Sequence, residues 1–316
     1  MAFRGSLKRV ILVAEVTDMK ILLSGLLNME TTTRTRGFPI DYYPIDYPFF
    51  GVNLYPGGVG FNLAKALHTL GDEINLYSLI GDDDAGKLIK EKLKKMGISY
   101  KHVYPVLPQT PMSSILYDET GRRLIYCDLK DIQMRVCPFN ENEVEEADIV
   151  IATNINFSRG LLKLAKKKKK LIATDVQVLR DPDDEYNAEF MKHADILFLS
   201  DEGIQGSVED FVYEIEKRYK NCIIVVGCGA NGSVMYQKKG DKFIYQPAYT
   251  LGEVKNTVGA GDAFFAAFVH FLNKGEKAED ALALASVFAG IKVCSDGASN
   301  GFVTEAKVRE AFSKLN

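Results

Sequence analysis

A chain of 316 residues, 47% hydrophobic and 26% charged, can bury a large core, and it exceeds the usual single-domain size without needing more than one sheet. Its 39 basic and 42 acidic residues leave a net charge of -3, which argues against nucleic acid as the main partner but allows a local anion site built from a few oriented donors. Five scattered cysteines, Cys127, Cys137, Cys222, Cys228 and Cys294, lack CxxC or Cys/His metal spacing, so small buried thiols in a reducing cytoplasm are expected.

At the N-terminus, MAFRGSLKRVILVAEVTD joins basic residues to a short apolar run, but Glu15 and Asp18 interrupt it too soon for a signal peptide. No stretch approaches the roughly 20 apolar residues of a spanning helix, so no membrane partner is expected. Residues 1–18 read as an extension, and 19–316 as the folded domain. Apolar runs predict strands over 20–26, 74–79, 149–152, 171–175, 196–199 and 223–226. Helical periodicity predicts helices over 60–70, 85–96, 159–168, 210–219, 262–272 and 278–294. Strands alternating with helices mean an α/β fold with a parallel sheet covered by helices.

Two stretches break this rhythm. Residues 31–55 are rich in Thr, Tyr, Phe and Pro, and residues 101–128 carry a DETGR turn. Both read as β-structure without helices, and unpaired strand edges seek partners, so the two are expected to form a small β-sheet lid. The aromatic cluster Tyr42, Tyr43, Tyr47, Phe49 and Phe50 then either packs over substrate or buries a lid-to-lid homodimer contact, which is favoured because exposed apolar sheet faces seek cover. The lysine run 166–170 sits at a helix end, where cations complement the helix dipole.

Residues 256–268 read NTVGAGDAFFAAF. Two glycines flanking Ala260 let successive backbone N–H groups turn toward one point, and the apolar helix that follows adds its unsatisfied first-turn donors and partial positive charge. Gly259, Ala260 and Gly261 therefore suit a phosphate. Asp262, a carboxylate at the mouth of that site, either caps its own helix or accepts the proton of a hydroxyl that attacks phosphorus.

This stretch resembles the C-terminal signature of the ribokinase (PfkB) family of sugar and nucleoside kinases, commonly DTxGAGDxFxxxF. Four further segments match in order. Asn28 and Glu30 stand in the family's G-x-x-N-x-D stretch, with Glu for Asp. Gly57, Gly58 and Asn62 fall in a GGxxxN-like turn. Ile80 to Gly86 look like its (V/I)GDDxxG turn, where capping of the next helix is the better reading of the acids than a metal site. Gly227, Gly229 and Gly232 resemble its nucleotide loop. Ala283 to Ala289 match the region bordering adenine in that family, and Asp296-Gly297-Ala298 a following turn.

The resemblance, which covers the chain from about Lys20 onward, implies a ribokinase-like doubly wound sheet with a β lid. It implies transfer of the γ-phosphoryl group of ATP, with Mg2+, to a sugar-like alcohol. Asp262 is then the base and Gly259, Ala260 and Gly261 the anion hole. Asn28, Glu30, Gly57, Gly58 and Asn62 hold the acceptor, and Gly227, Gly229, Gly232, Thr257, Ala283, Ser286 and Val287 the nucleotide. A nucleoside acceptor and a non-catalytic sugar- or nucleotide-binding protein remain as alternatives.

Several positions depart from the pattern. Asn256 replaces the aspartate that helps hold a monovalent cation in potassium-activated members, and a neutral amide is a weaker ligand, which argues against K+ dependence. Where the family has NxxE, the chain has Ser200-Asp201-Glu202-Gly203, so Asp201 and Glu202 are the candidates for a water-mediated Mg2+ site. Val59 stands where ribokinases proper have lysine, against ribose in particular. Asp175 to Arg180 match a D-x-N-x-R stretch of hexose kinases loosely, with Gln177 for Asn.

Overall fold

The computed structural model describes residues 19–295 and 297–315, so the expected extension at 1–18 and Asp296 lie outside the described residues. After β1 (Lys20–Ser24) the chain leaves the core to form β2 (Asn28–Arg34) and β3 (Val52–Gly57). It returns through the helix Val59–Leu70, β4 (Glu73–Gly81), the helix Asp84–Lys95 and β5 (His102–Leu107). A second excursion makes β6 (Met112–Tyr117) and β7 (Arg123–Asp128). Thereafter β8 (Ile149–Ala152), β9 (Leu171–Val178), β10 (Ile196–Ser200) and β11 (Ile223–Gly227) alternate with helices, before β12 (Ser233–Gln237) and β13 (Lys242–Gln246). The helices Ala260–Asn273, Ala278–Lys292 and Glu305–Ser313 follow.

The nine-stranded sheet has the order β13-β12-β11-β10-β9-β8-β1-β4-β5, and only β12 and β13 run antiparallel to their neighbours. Strand order reverses at β1, which opens a crevice at the carboxyl ends of the strands around it. Successive residues of β1 serve opposite faces: Ile21 and Leu23 join one apolar cluster and Leu22 the other. The helix Ala260–Asn273 is fixed to the first face by Phe198, whose ring centroid lies 5.7, 4.8 and 5.2 Å from those of Phe264, Phe265 and Phe268. That packing sets where the start of the helix, with Asp262, meets the crevice.

The second sheet, β3-β2-β6-β7, is built from the two excursions and projects from the carboxyl end of the large one. Its boundaries differ from the expected ones. β1 ends at Ser24 rather than Leu26, the lid begins at Asn28, and residues 35–51 form a loop without a strand. Only residues 112–128 of the second stretch join the lid, because His102–Leu107 pairs with β4 as an edge strand of the large sheet.

Other expectations resolve locally. Asp83 caps its helix, accepting from Gly86 N–H at 2.8 Å and from the Thr110 hydroxyl at 2.6 Å. Lys166 and Lys168 pair with Asp195 and Glu145 at 3.4 and 2.7 Å, which makes the lysine run a solvated helix end. The expectation of buried thiols holds for Cys137 alone; Cys127 is exposed on β7 and the other three are half-buried. Among the described residues, no helix is long and apolar enough to cross a membrane.

Candidate active site

The lid carries one wall of the crevice. Asn28, at the first position of β2, donates from Nδ2 to the Ser113 hydroxyl of β6 at 2.7 Å. Two residues on and on the same face, Glu30 accepts the Gly58 N–H at 2.9 Å. The Glu30 carboxyl lies directly over Gly57, where a Cβ would come within 2.2 Å of it. Glycine at 57 is therefore what lets an acid occupy this wall.

Asn62, in the first turn of Val59–Leu70, crosses the crevice and donates from Nδ2 to Asp262 Oδ2 at 2.7 Å. The Oδ1 atoms of Asn28 and Asn62 are buried without a partner among the described residues. Buried acceptors are rarely left unpaired, so two of them beside carboxyl groups suit a ligand that brings hydroxyl donors.

Asp262 stands in the first turn of Ala260–Asn273, yet that helix has no side-chain cap bond, and its N-cap Gly259 sits at φ 77°. The hydrogen bond that Asp262 accepts comes from Asn62 across the crevice and not from an N–H of its own helix start. Burial lifts its carboxyl to about 6, opposed by the Asn62 donor and the positive charge of Lys292. Asp175, buried near the end of β9, is raised to about 7 by burial; the Gln177 N–H opposes this and the Asp262 charge adds to it. Burial likewise raises Glu30. Desolvation raises all three carboxyl groups around one crevice, and the values of Asp262 and Asp175 mark a place where a proton is easily exchanged near neutral pH. The backbone beside them is strained, since Gln177 adopts φ 63° without being glycine.

Gly259, Ala260 and Gly261 turn into the helix at the edge of the crevice, and a Cβ on Gly261 would meet nothing within 4 Å. Thr257 is exposed at the same edge. Further along, Gly227 ends β11 and Gly229 opens a short turn with free space over it. Gly232 packs against the β13 exit, where a Cβ would fall 2.0 Å from Gln246 O, which accounts for glycine at this position. Ala283 is half-exposed, whereas Ser286 donates to Pro247 O at 3.1 Å. Val287 faces the sheet, fully buried in the apolar core, which corrects its assignment as a nucleotide contact.

Asp201 and Glu202 follow β10, and Glu202 Oε1 lies 3.5 Å from Arg123 Nη2 of the lid strand β7. Among the described residues no group of three His, Cys, Asp or Glu could hold a metal ion. Two acids, one of them engaged by arginine, fit Mg2+ only through water and a ligand's own phosphates. Arg123 and Lys292 escaped the sequence reading. Lys292 had a visible signal, as a lone cation inside the apolar run ALALASVFAGIKVC.

Comparison with known proteins defines the class first. The architecture is the ribokinase fold: the structure of Arabidopsis thaliana ribokinase complexed with ribose and ATP superposes with a TM-score of 0.78 at 22% identity, covering 94% of this chain and 99% of that one. The chain belongs to the pfkB family of carbohydrate kinases, whose profile matches residues 20–305. Among relatives, the 5-dehydro-2-deoxygluconokinase of Clostridium perfringens is 24% identical over 290 residues, 83% of this chain and 85% of its own length. The nucleoside kinase of Methanocaldococcus jannaschii is 26% identical, covering 93% of this chain and 97% of its own. The protein is thus an ATP-dependent carbohydrate or nucleoside kinase of this family.

Proposed function

We propose that this protein transfers the γ-phosphoryl group of ATP to a hydroxyl of a sugar or nucleoside, with Asp262 as general base. The observation that carries the reading is that Asp262, although it stands at a helix start, ignores its own helix and faces the crevice beside Asn62. The acceptor hydroxyl gives its proton to the Asp262 carboxylate, its oxygen bonds to the γ-phosphorus, and the bond from that phosphorus to the ADP oxygen breaks. The N–H groups of Gly259 and Gly261 stabilise the negative charge on the moving phosphoryl group; the Ala260 N–H, expected to join them, instead donates to Thr257 O at 3.1 Å and closes the turn that shapes the site. Magnesium, when bound with the nucleotide, would neutralise phosphate charge, and Asp201 and Glu202 would hold it through its waters.

Asn28, Glu30 and Asn62 orient the acceptor's other hydroxyls. Glu30 and Ser113 point to the same face of the lid as Asn53, Tyr55, Ile115 and Ile125, by strand register. Polar groups deep in the crevice and apolar ones farther out suit a compact polyol core with a less polar extension. Closing the lid excludes water, which otherwise competes as acceptor. ATP as donor fits a cytoplasmic enzyme.

The test is a panel of sugars, sugar acids and nucleosides with ADP release measured. Saturable, acceptor-dependent ADP release is expected for one chemical class. If ligands raise the melting temperature but none yields ADP, the protein binds without catalysing.

We further propose that the lid mediates a homodimer. Tyr42, Tyr47, Phe49 and Phe50 on the 35–51 loop are exposed by 88, 69, 75 and 101%, and Leu54, Leu124 and Tyr126 on the outer sheet face add to the apolar surface. A second copy would cover it. The double variant Tyr43→Asp/Phe49→Asp should elute later from gel filtration than the wild type; an unchanged elution volume removes the dimer.

A further inference from the structure

Lys292 is the last residue of the helix Ala278–Lys292 and is fully buried. Its ammonium donates to Asn256 O at 3.1 Å and to Val258 O, two carbonyls of the loop that leads into Gly259. The same loop is tied to the helix end by the Lys255 and Asn256 N–H groups, which donate to Val293 O at 2.8 and 3.1 Å. Asn256 Oδ1 is already committed to the Val258 N–H at 2.8 Å. The Asn256 and Val258 carbonyls and the Asn256 amide oxygen are therefore already engaged, and the positive charge among them belongs to the chain itself.

A trans peptide sends its C=O and the following N–H in opposite directions. With the Val258 carbonyl held toward Lys292, the Gly259 N–H must point away from it; with the Asn256 carbonyl held, so must the Thr257 N–H. The buried ammonium thus fixes the direction of the donors at the start of the anion site. It also contributes a positive charge that Asp262 feels. Burial lowers Lys292 to about 8, so the ammonium form still prevails at neutral pH.

We propose that Lys292 is a tethered cation that holds the 256–261 loop in its anion-binding shape and makes an added monovalent ion unnecessary. This rests on the kinase reading for its consequence and on the Lys292 contacts for its geometry. Lys292 is a positioning residue, since its contacts are to the loop. The measurements are Mg-ADP affinity by calorimetry and melting temperature, each in potassium chloride and in choline chloride, for the wild type, Lys292→Met and Lys292→Ala.

Wild-type affinity should agree within about twofold between the salts, and Lys292→Met, which keeps bulk without charge, should bind Mg-ADP about tenfold more weakly in both. Lys292→Ala leaves a space lined by carbonyls: potassium or ammonium should restore part of its affinity and raise its melting temperature in a saturable way, while choline should not. Wild-type binding that is several-fold tighter in potassium than in choline overturns the proposal, as does a Lys292→Met variant that binds Mg-ADP like the wild type. If the wild type binds no nucleotide in either salt, the kinase reading fails, and the melting temperature of Lys292→Ala decides the cation site alone. Should both variants fail to fold, the wild-type salt comparison still decides it.

Discussion

Replacing Asp262 by Asn should lower turnover by roughly two to four orders of magnitude while leaving the fold intact. The asparagine can still accept the Asn62 hydrogen bond through its carbonyl oxygen, so what is lost is the capacity to take a proton. Wild-type turnover should fall as pH drops through about 6, where the carboxylate is protonated, and the variant should lack that acid limb. Stability moves the other way. The folded-state value lies above the ordinary aspartate value of 3.8, so the native state binds this proton more tightly and loses stability as pH rises between 3.8 and about 6. At pH near 7.5 Asp262→Asn should therefore melt no lower than the wild type. Near wild-type turnover in the variant would remove Asp262 as the base.

Gly261→Ala is expected to separate activity from stability. Gly261 is exposed within the first turn of its helix, with φ in the ordinary range and nothing within 4 Å of where an added methyl would sit. Alanine there should stabilise the helix by up to about 1 kcal/mol. Only a ligand's approach gives glycine a reason to stand at this position, so the methyl should weaken ATP use by about tenfold to a hundredfold in kcat/KM. Gly259→Ala contrasts with it. At φ 77° a Cβ would fall 2.1 Å from Ala298 O, so that variant should lose both stability and activity. Thermal melts beside steady-state kinetics with varied ATP read both effects. A Gly261→Ala enzyme with unchanged kcat/KM for ATP would show that phosphate does not come close to this turn.

The sequence motifs were readable because their residue types and spacings carry a preference of their own: glycine where a larger residue would not fit, as at Gly57 beneath Glu30, an acid just before a helix, as at Asp83, and phenylalanines four apart on one helix face, as at 264 and 268. Central strands such as Ile149–Ala152 were equally plain, since burial on both faces leaves an unbroken apolar run. Edge elements were not. His102–Leu107 carries a proline and exposed positions, and what assigns it to the large sheet is its pairing with β4. Lys292 and Arg123 act through residues distant in the chain, so their meaning lies in contacts that no short window contains. Val287 shows the converse, since a helix can border a ligand while a given residue of it turns inward.

The bond between Asn62 and Asp262 joins parts of the chain 200 residues apart. On the proposed reading, the residues that hold the acceptor are synthesised early and those that move phosphate late. A chain cut short before Asn256 would retain Asn28, Glu30 and Asn62 yet possess neither loop, acid nor ammonium. Premature termination or proteolysis from the C-terminal side would thus yield an inert remnant and never an unregulated consumer of ATP.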